Sequence, residues 1–146
     1  MSSVGSTEEE PLIAALPLLY RLVLASANPK TLGLTKTQMI IMLSLAHFGS
    51  LRMSQIADFI SSSKEQATRA VAPLVEEGYV FRSNDPENRT YIEIQLTAAG
   101  EAFMERWRCR LLGQLNGRLD QGISDTERAE LRQASLSMVR ILSKLQ

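Results

Sequence analysis

The chain has one cysteine, one histidine and no net charge in 146 residues, and each shortage closes off a class of function. Cys109 has no second cysteine to bond, so no intrachain disulfide forms, and thiol usage of this kind suits a reducing cytoplasm. One cysteine with one histidine makes neither a nucleophile and base pair of the Cys-His kind nor a metal-ligating cluster. No glycine-rich phosphate loop and no Gly-x-Ser-x-Gly elbow occurs. The expectation is therefore a protein that is not an enzyme and takes no cofactor or metal. Sixteen basic residues balance sixteen acidic ones, so whole-chain charge gives no support to a polyanionic partner. The apolar stretch Met39 to Phe48 is broken by Ser44 and falls short of the ~20 residues that cross a bilayer, so no membrane association is expected. Met1 to Thr7 has no basic cluster or apolar core, and it reads as the start of a flexible tail over residues 1–8, not as a secretory signal.

What is present is a globular composition, 45% apolar and 22% charged, enough to bury a core without a staple. Leu12, Leu16, Leu19, Tyr20 and Val23 recur at helical spacing between Glu9 and Asn28, with Pro17 inside and Asn28-Pro29 as a stop. Thr35 with Gln38 forms a capping box for a helix that is apolar all round and ends near Phe48, with Gly49 as its left-handed cap. After the extended piece Leu51-Arg52-Met53, Ser54 caps a brief helix through Ile60. Ser63 with Gln66 opens another, whose stripe Ala67, Ala70, Val71, Leu74, Val75 is the clearest amphipathic pattern in the chain; Gly78 closes it. The period then becomes two: Tyr79 to Arg82 and Tyr91 to Leu96 read as strands around a turn at Asn84-Asp85-Pro86-Glu87-Asn88. Two long helices follow, from Thr97 to about Gly117 and from Ser124 to about Leu145. A brief helix, a stronger amphipathic helix and a two-stranded ribbon make a winged helix-turn-helix, so the fold class is mainly α with a small β-hairpin wing.

With the stripe facing inward, Glu65, Gln66, Arg69, Pro73 and Glu76 lie on the opposite face of the helix from Lys64 to Glu77. Gln66 and Arg69 suit paired hydrogen bonds to adenine and guanine edges. Ser63, Lys64 and Thr68 suit phosphates at the helix N-terminus. On the ribbon, Arg82, Asn88, Arg89 and Thr90 form the projecting edge, and Arg89 at the tip can reach a minor groove. Residues 50–97 nonetheless hold five basic groups against seven acidic ones, so only the placement of the basic groups at the helix start and on the wing leaves a positive face. Pro73 deletes the hydrogen bond to the Arg69 carbonyl and is expected to bend this helix.

The runs Leu34-Thr35-Lys36-Thr37-Gln38, Ser54-Gln55-Ile56-Ala57, Ala67-Thr68-Arg69, Leu74-Val75-Glu76-Glu77-Gly78-Tyr79-Val80, Asp85-Pro86 and Leu96-Thr97-Ala98-Ala99-Gly100 together resemble the MarR (multiple-antibiotic-resistance regulator) family of bacterial transcription factors. The order and spacing agree through roughly residues 10–145. The resemblance implies a homodimer joined by the first and last helices. It also implies a winged-helix lobe on each subunit that represses genes from a palindromic double-stranded operator, and an effector cleft that takes small aromatic or phenolic compounds. The domain division that follows is residues 9–30 and 98–146 for dimerisation and 31–97 for DNA binding. The sequence departs from the family at Thr90, where the wing usually carries an Arg, so Arg89 becomes the expected anchor.

For the effector, Tyr20, Met39, Met42, His47 and Phe103 are the expected lining, on the strength of the adaptable methionines on the second helix. Two other readings stand beside this one. The lobe is a protein-interaction module without DNA binding, as the local acidity favours, or Cys109 is a redox switch, although a lone cysteine in a long helix usually behaves as a small apolar residue.

Overall fold

A computed structural model of the chain describes residues 8–27 and 29–146. The expected tail therefore lies almost wholly outside the described residues, as does Asn28. Helix α1 spans Glu10–Ala27, with Pro17 inside it, and a 3-10 turn over Pro29–Leu32 leads to α2, Lys36–Phe48. The capping box at the start of α2 is as the sequence predicts: Thr35 Oγ1 accepts from the Gln38 N–H at 3.1 Å, and Gln38 Oε1 accepts from the Thr35 N–H at 2.9 Å. At its end Gly49 adopts φ +80°, and its N–H reaches the Leu45 carbonyl at 2.8 Å.

Strand β1, Ser50–Arg52, runs directly into α3, Met53–Phe59. The helix thus starts before the expected Ser54 cap: Arg52 is the N-cap, with no side-chain cap bond of its own, and its N–H is held by Gln55 Oε1 at 2.9 Å, which places Ser54 inside the first turn. Helix α4, Lys64–Glu76, ends in a Schellman turn, with Gly78 N–H on the Val75 carbonyl and Tyr79 N–H on the Leu74 carbonyl. Pro73 does not stop this helix; the following turn recovers a bond from the Glu77 N–H to the Pro73 carbonyl at 2.9 Å.

The ribbon is part of a three-stranded antiparallel sheet in the order β1-β3-β2, not a free hairpin. Strand β2 is Val80–Asn84 and β3 is Ile92–Leu96, with Arg82 opposite Ile94 and, on the other side, Arg52 opposite Glu93. Helix α5, Ala98–Gly122, starts where β3 ends. Thr97 Oγ1 accepts from the Gly100 N–H at 3.0 Å, and a Cβ on Gly100 would overlap the Tyr79 carbonyl oxygen. The helix runs through Gly113 and Gly117 to Gly122, longer than expected. Mid-helix glycine costs only about 1 kcal/mol, whereas Ser124 ends α5 by capping α6 with Glu127 in a second full capping box. Helix α6, Asp125–Leu142, passes into a 3-10 turn over Ser143–Leu145.

The buried apolar core extends from Leu34 to Trp107, with Met39, Ile41, Met42, Ile56, Leu74 and Ile94 fully enclosed. The two terminal helices are different. Ser26 is the buried residue of α1, and α6 buries none, while Ile13 and Leu16 on α1 are 72% and 67% exposed and Leu136 and Val139 on α6 are 55% and 53% exposed. With Glu10 and Arg21 as its charges, α1, and not Met39 to Phe48, is the described helix long and apolar enough by length and composition to cross a membrane.

Candidate nucleic-acid interface

The site begins at the turn between α3 and α4. Ser61 sits at φ +50°, a left-handed conformation uncommon for a residue with a Cβ, and the reversal brings Ser62 against Gln66. Ser63 then caps α4, its Oγ accepting from the Gln66 N–H at 3.2 Å. Ala67, Val71 and Leu74 are buried on the inner face, so Lys64, Glu65, Gln66, Thr68 and Arg69 are carried outward and are exposed. Thr68 donates to the Lys64 carbonyl at 2.8 Å. Gln66 has its amide oxygen on the Ser62 hydroxyl, which leaves its amide hydrogens as the free donors. Arg69 has no ion-pair partner among the described residues, and with Gln66 it lines a groove shared with Thr35 and Thr37 at the start of α2.

The wing brings Arg82, Asn88, Arg89 and Thr90 to its exposed edge. Its tip is an Asx turn: Asn88 Oδ1 accepts from the Thr90 N–H at 3.1 Å and the Asn88 carbonyl from the Tyr91 N–H at 3.0 Å. Thr90, in place of the usual arginine, thus has its N–H committed to the turn. Arg89 has no ion-pair partner among the described residues.

Sequence reasoning missed the group at the foot of the wing. Asp85 is buried, its Oδ2 lies 3.0 Å from Arg52 Nη2, and that guanidinium stacks 4.0 Å from the Tyr91 ring centroid. The Glu87 N–H on Asp85 Oδ1 holds this carboxyl below its ordinary range, with Arg52 adding to it against the opposing effect of burial. The signal available beforehand was Arg52 placed by Gln55 at the start of α3. Nothing local ties it to a residue 33 positions on.

Tyr20, Met39, Met42, His47 and Phe103 are not gathered around one cavity. Tyr20 lies exposed on α1 under the Lys36 ammonium, 5.5 Å from its ring centre. Met39 and Met42 are wholly inside the core. His47 bonds Ser143 Oγ at 3.0 Å and packs its ring edge-on to Phe48. Phe103 is buried beside Tyr79, 4.7 Å between ring centres.

The cavities instead meet at Trp107, which is 3% exposed and whose buried indole N–H has no acceptor among the described residues. One of about 340 Å³ is lined also by Ser26, Arg110 and Gln114, and one of about 460 Å³ by Tyr79, Phe103, Arg106 and Arg110. Arg108 is spent on Glu105 at 3.0 Å, which lowers the glutamate's pKa and raises its own, whereas Arg106 and Arg110 have no ion-pair partner among the described residues. Cys109 is exposed, with its sulfur 3.7 Å from Glu105 Oε1.

The MarR family model matches residues 34–90, which take in the helix-turn-helix, β2 and the wing tip and stop before β3. Over these residues the chain is similar to the MarR family. A comparison with curated protein sequences finds no match. Among solved structures, the fold is similar to that of RV1404 from Mycobacterium tuberculosis, with a TM-score of 0.73 and 19% identity over 95% of this chain and 97% of that one. It is also similar to the transcriptional regulator Tm0710 from Thermotoga maritima, with a TM-score of 0.70 and 19% identity over 92% and 98%. A mutant MarR from E. coli complexed with operator DNA matches with a TM-score of 0.58 and 23% identity over 91% and 99%. At such identities these likenesses speak for the winged-helix fold with long flanking helices, and the resemblance read from the sequence is borne out over the matched domain.

Proposed function

We propose that the chain is a sequence-specific, double-stranded DNA-binding transcriptional regulator of the cytoplasm, a homodimer that represses from a palindromic operator and is released by a small ligand. The observation that carries this reading is the outer face of α4, where Gln66 and Arg69 stand exposed on a capped helix N-terminus beside the described wing. A helix so presented fits the major groove, and the tip carrying Arg89 suits the neighbouring minor groove. The MarR of E. coli seen with operator DNA shares the fold.

Residues 31–97 are then the DNA-binding unit. Residues 9–30 and 98–146 form the dimer, because the apolar faces of α1 and α6 are too extensive to leave in water. Residues 1–8 have no part in this scheme. The effector site is better supported around Trp107, where Phe103 is the one of the five expected lining residues that faces a cavity, since an unpaired buried donor beside arginines outside any ion pair suits an aromatic acid or a phenolate.

Selection of bound fragments from genomic DNA, followed by salt titration on the recovered site, tests the reading. A regulator loses affinity steeply as salt rises, because it releases counterions from several phosphates, and it selects an imperfect palindrome with half-sites about 10 base pairs apart. Recovery of no preferred sequence, with partner binding indifferent to salt, would favour the protein-interaction module.

A further inference from the structure

We propose that Arg52, Asp85 and Tyr91 form a brace that fixes the wing against the helix-turn-helix, which makes Arg52 a positioning residue for DNA binding and not a phosphate contact. The inference rests on the DNA-binding reading. Arg52 is anchored at its root: it closes β1, caps α3, and its N–H is held by Gln55. Its side chain crosses to the wing, where the guanidinium meets the Asp85 carboxylate at 3.0 Å and the Tyr91 ring at 4.0 Å. Asp85 and Tyr91 are the two feet of the wing loop, joined by the Asp85 N–H on the Tyr91 carbonyl at 2.9 Å, and between them lies the tip with Asn88, Arg89 and Thr90.

One planar cation therefore touches both feet of the loop from the element that starts the helix-turn-helix. Strand β1 pairs with β3 only as far as Glu93, so the loop from Asp85 to Tyr91 extends past the third strand and lacks its support. A guanidinium can donate to a carboxylate while stacking on a ring, and an ammonium cannot reproduce that pair of contacts. Asp85 would be a poor choice near DNA if Arg52 were there to meet a phosphate, because its buried negative charge would oppose the polyanion. As a brace partner the same charge is what holds Arg52 in place.

The two roles predict opposite signs for Asp85→Asn. Removing an acid near DNA strengthens binding by electrostatics alone, whereas breaking the brace weakens operator binding roughly tenfold. The brace further predicts that Arg52→Lys loses nearly as much as Arg52→Ala, that Tyr91→Phe behaves like the parent, and that the salt slope is unchanged throughout. Tighter binding by Asp85→Asn overturns the proposal. So does parent-like binding by Arg52→Lys combined with a salt slope that Arg52→Ala reduces by ~0.9, the loss of one phosphate contact. Hydrogen exchange of the free protein separates the brace from the DNA-binding reading. Asp85→Asn must speed exchange of amides 84–92 while those of α4 stay protected, and unchanged wing exchange overturns the brace even if no operator is found.

Discussion

The winged lobe and the terminal helices contain the same kinds of side chain and treat them in opposite ways. Between Leu34 and Trp107, apolar residues from α2, α3, α4, β3 and α5 close on one another, and nine of the larger side chains are fully enclosed. On α1 and α6, leucines, isoleucines and a valine of similar size remain about a third to three-quarters in solvent. Burial is therefore settled by the availability of a facing surface and not by residue type. The lobe finds its facing surface within the chain; on the dimer reading proposed above, the terminal helices find theirs in a second copy. Stability on this account is intrinsic in the first region and depends on assembly in the second.

The contrast is broken most forcefully at the lobe core. Leu74→Ala removes a fully buried side chain and leaves a cavity, so about 2–5 kcal/mol should be lost at every protein concentration, read from the denaturant midpoint. Gly100→Ala tests the seam where α5 leaves the lobe. The new methyl overlaps the Tyr79 carbonyl, a backbone atom with little freedom to yield, so the cost should reach the upper end of the ~1–3 kcal/mol typical of overpacking. A Gly100→Ala protein as stable as the parent would mean that α5 is docked differently.

The terminal helices should respond in another currency. Leu16→Glu with Leu136→Glu places charge on both exposed apolar faces while leaving the lobe core untouched. Sedimentation should show a dimer for the parent and a monomer for the variant, and the melting temperature should lose its dependence on concentration. A parent that is a stable monomer at micromolar concentration would remove the dimer reading.

A smaller effect is expected from pH at the foot of the wing. Because the folded Asp85 pKa lies below its ordinary value, the stability it contributes is fully present above the usual carboxylate range and is lost only as pH falls through that depressed value. Wing amide protection should therefore hold through neutral and mildly acidic pH and fall below it, with Asp85→Asn insensitive over the same window.

What could be read from the sequence was what is decided locally. The boxes Thr35 with Gln38 and Ser124 with Glu127 need only three residues of spacing, and the stripe Ala67, Val71, Leu74 needs only one helix. What escaped depends on distant partners. Pairing of β1 with β3 and the reach of Arg52 to Asp85 join segments far apart in the chain, where no periodicity connects them. Met39 and Met42 show a related limit. A helix apolar on every side does not say which methionines face a cleft and which fill the core, and the fold put both in the core. The orphaned Trp107 N–H could not be anticipated either, since a missing acceptor is a property of the packed surroundings.

The most direct test of the account is a footprint and salt titration on the selected operator with Arg69→Ala and Arg89→Ala beside the parent. Arg69→Ala should lose discrimination at one base position, by roughly 1–3 kcal/mol per half-site. Arg89→Ala should weaken all sequences alike and flatten the salt dependence, since the minor groove offers shape and charge more than sequence. If both variants bind and discriminate as the parent does, α4 and the wing are not the DNA-reading surface.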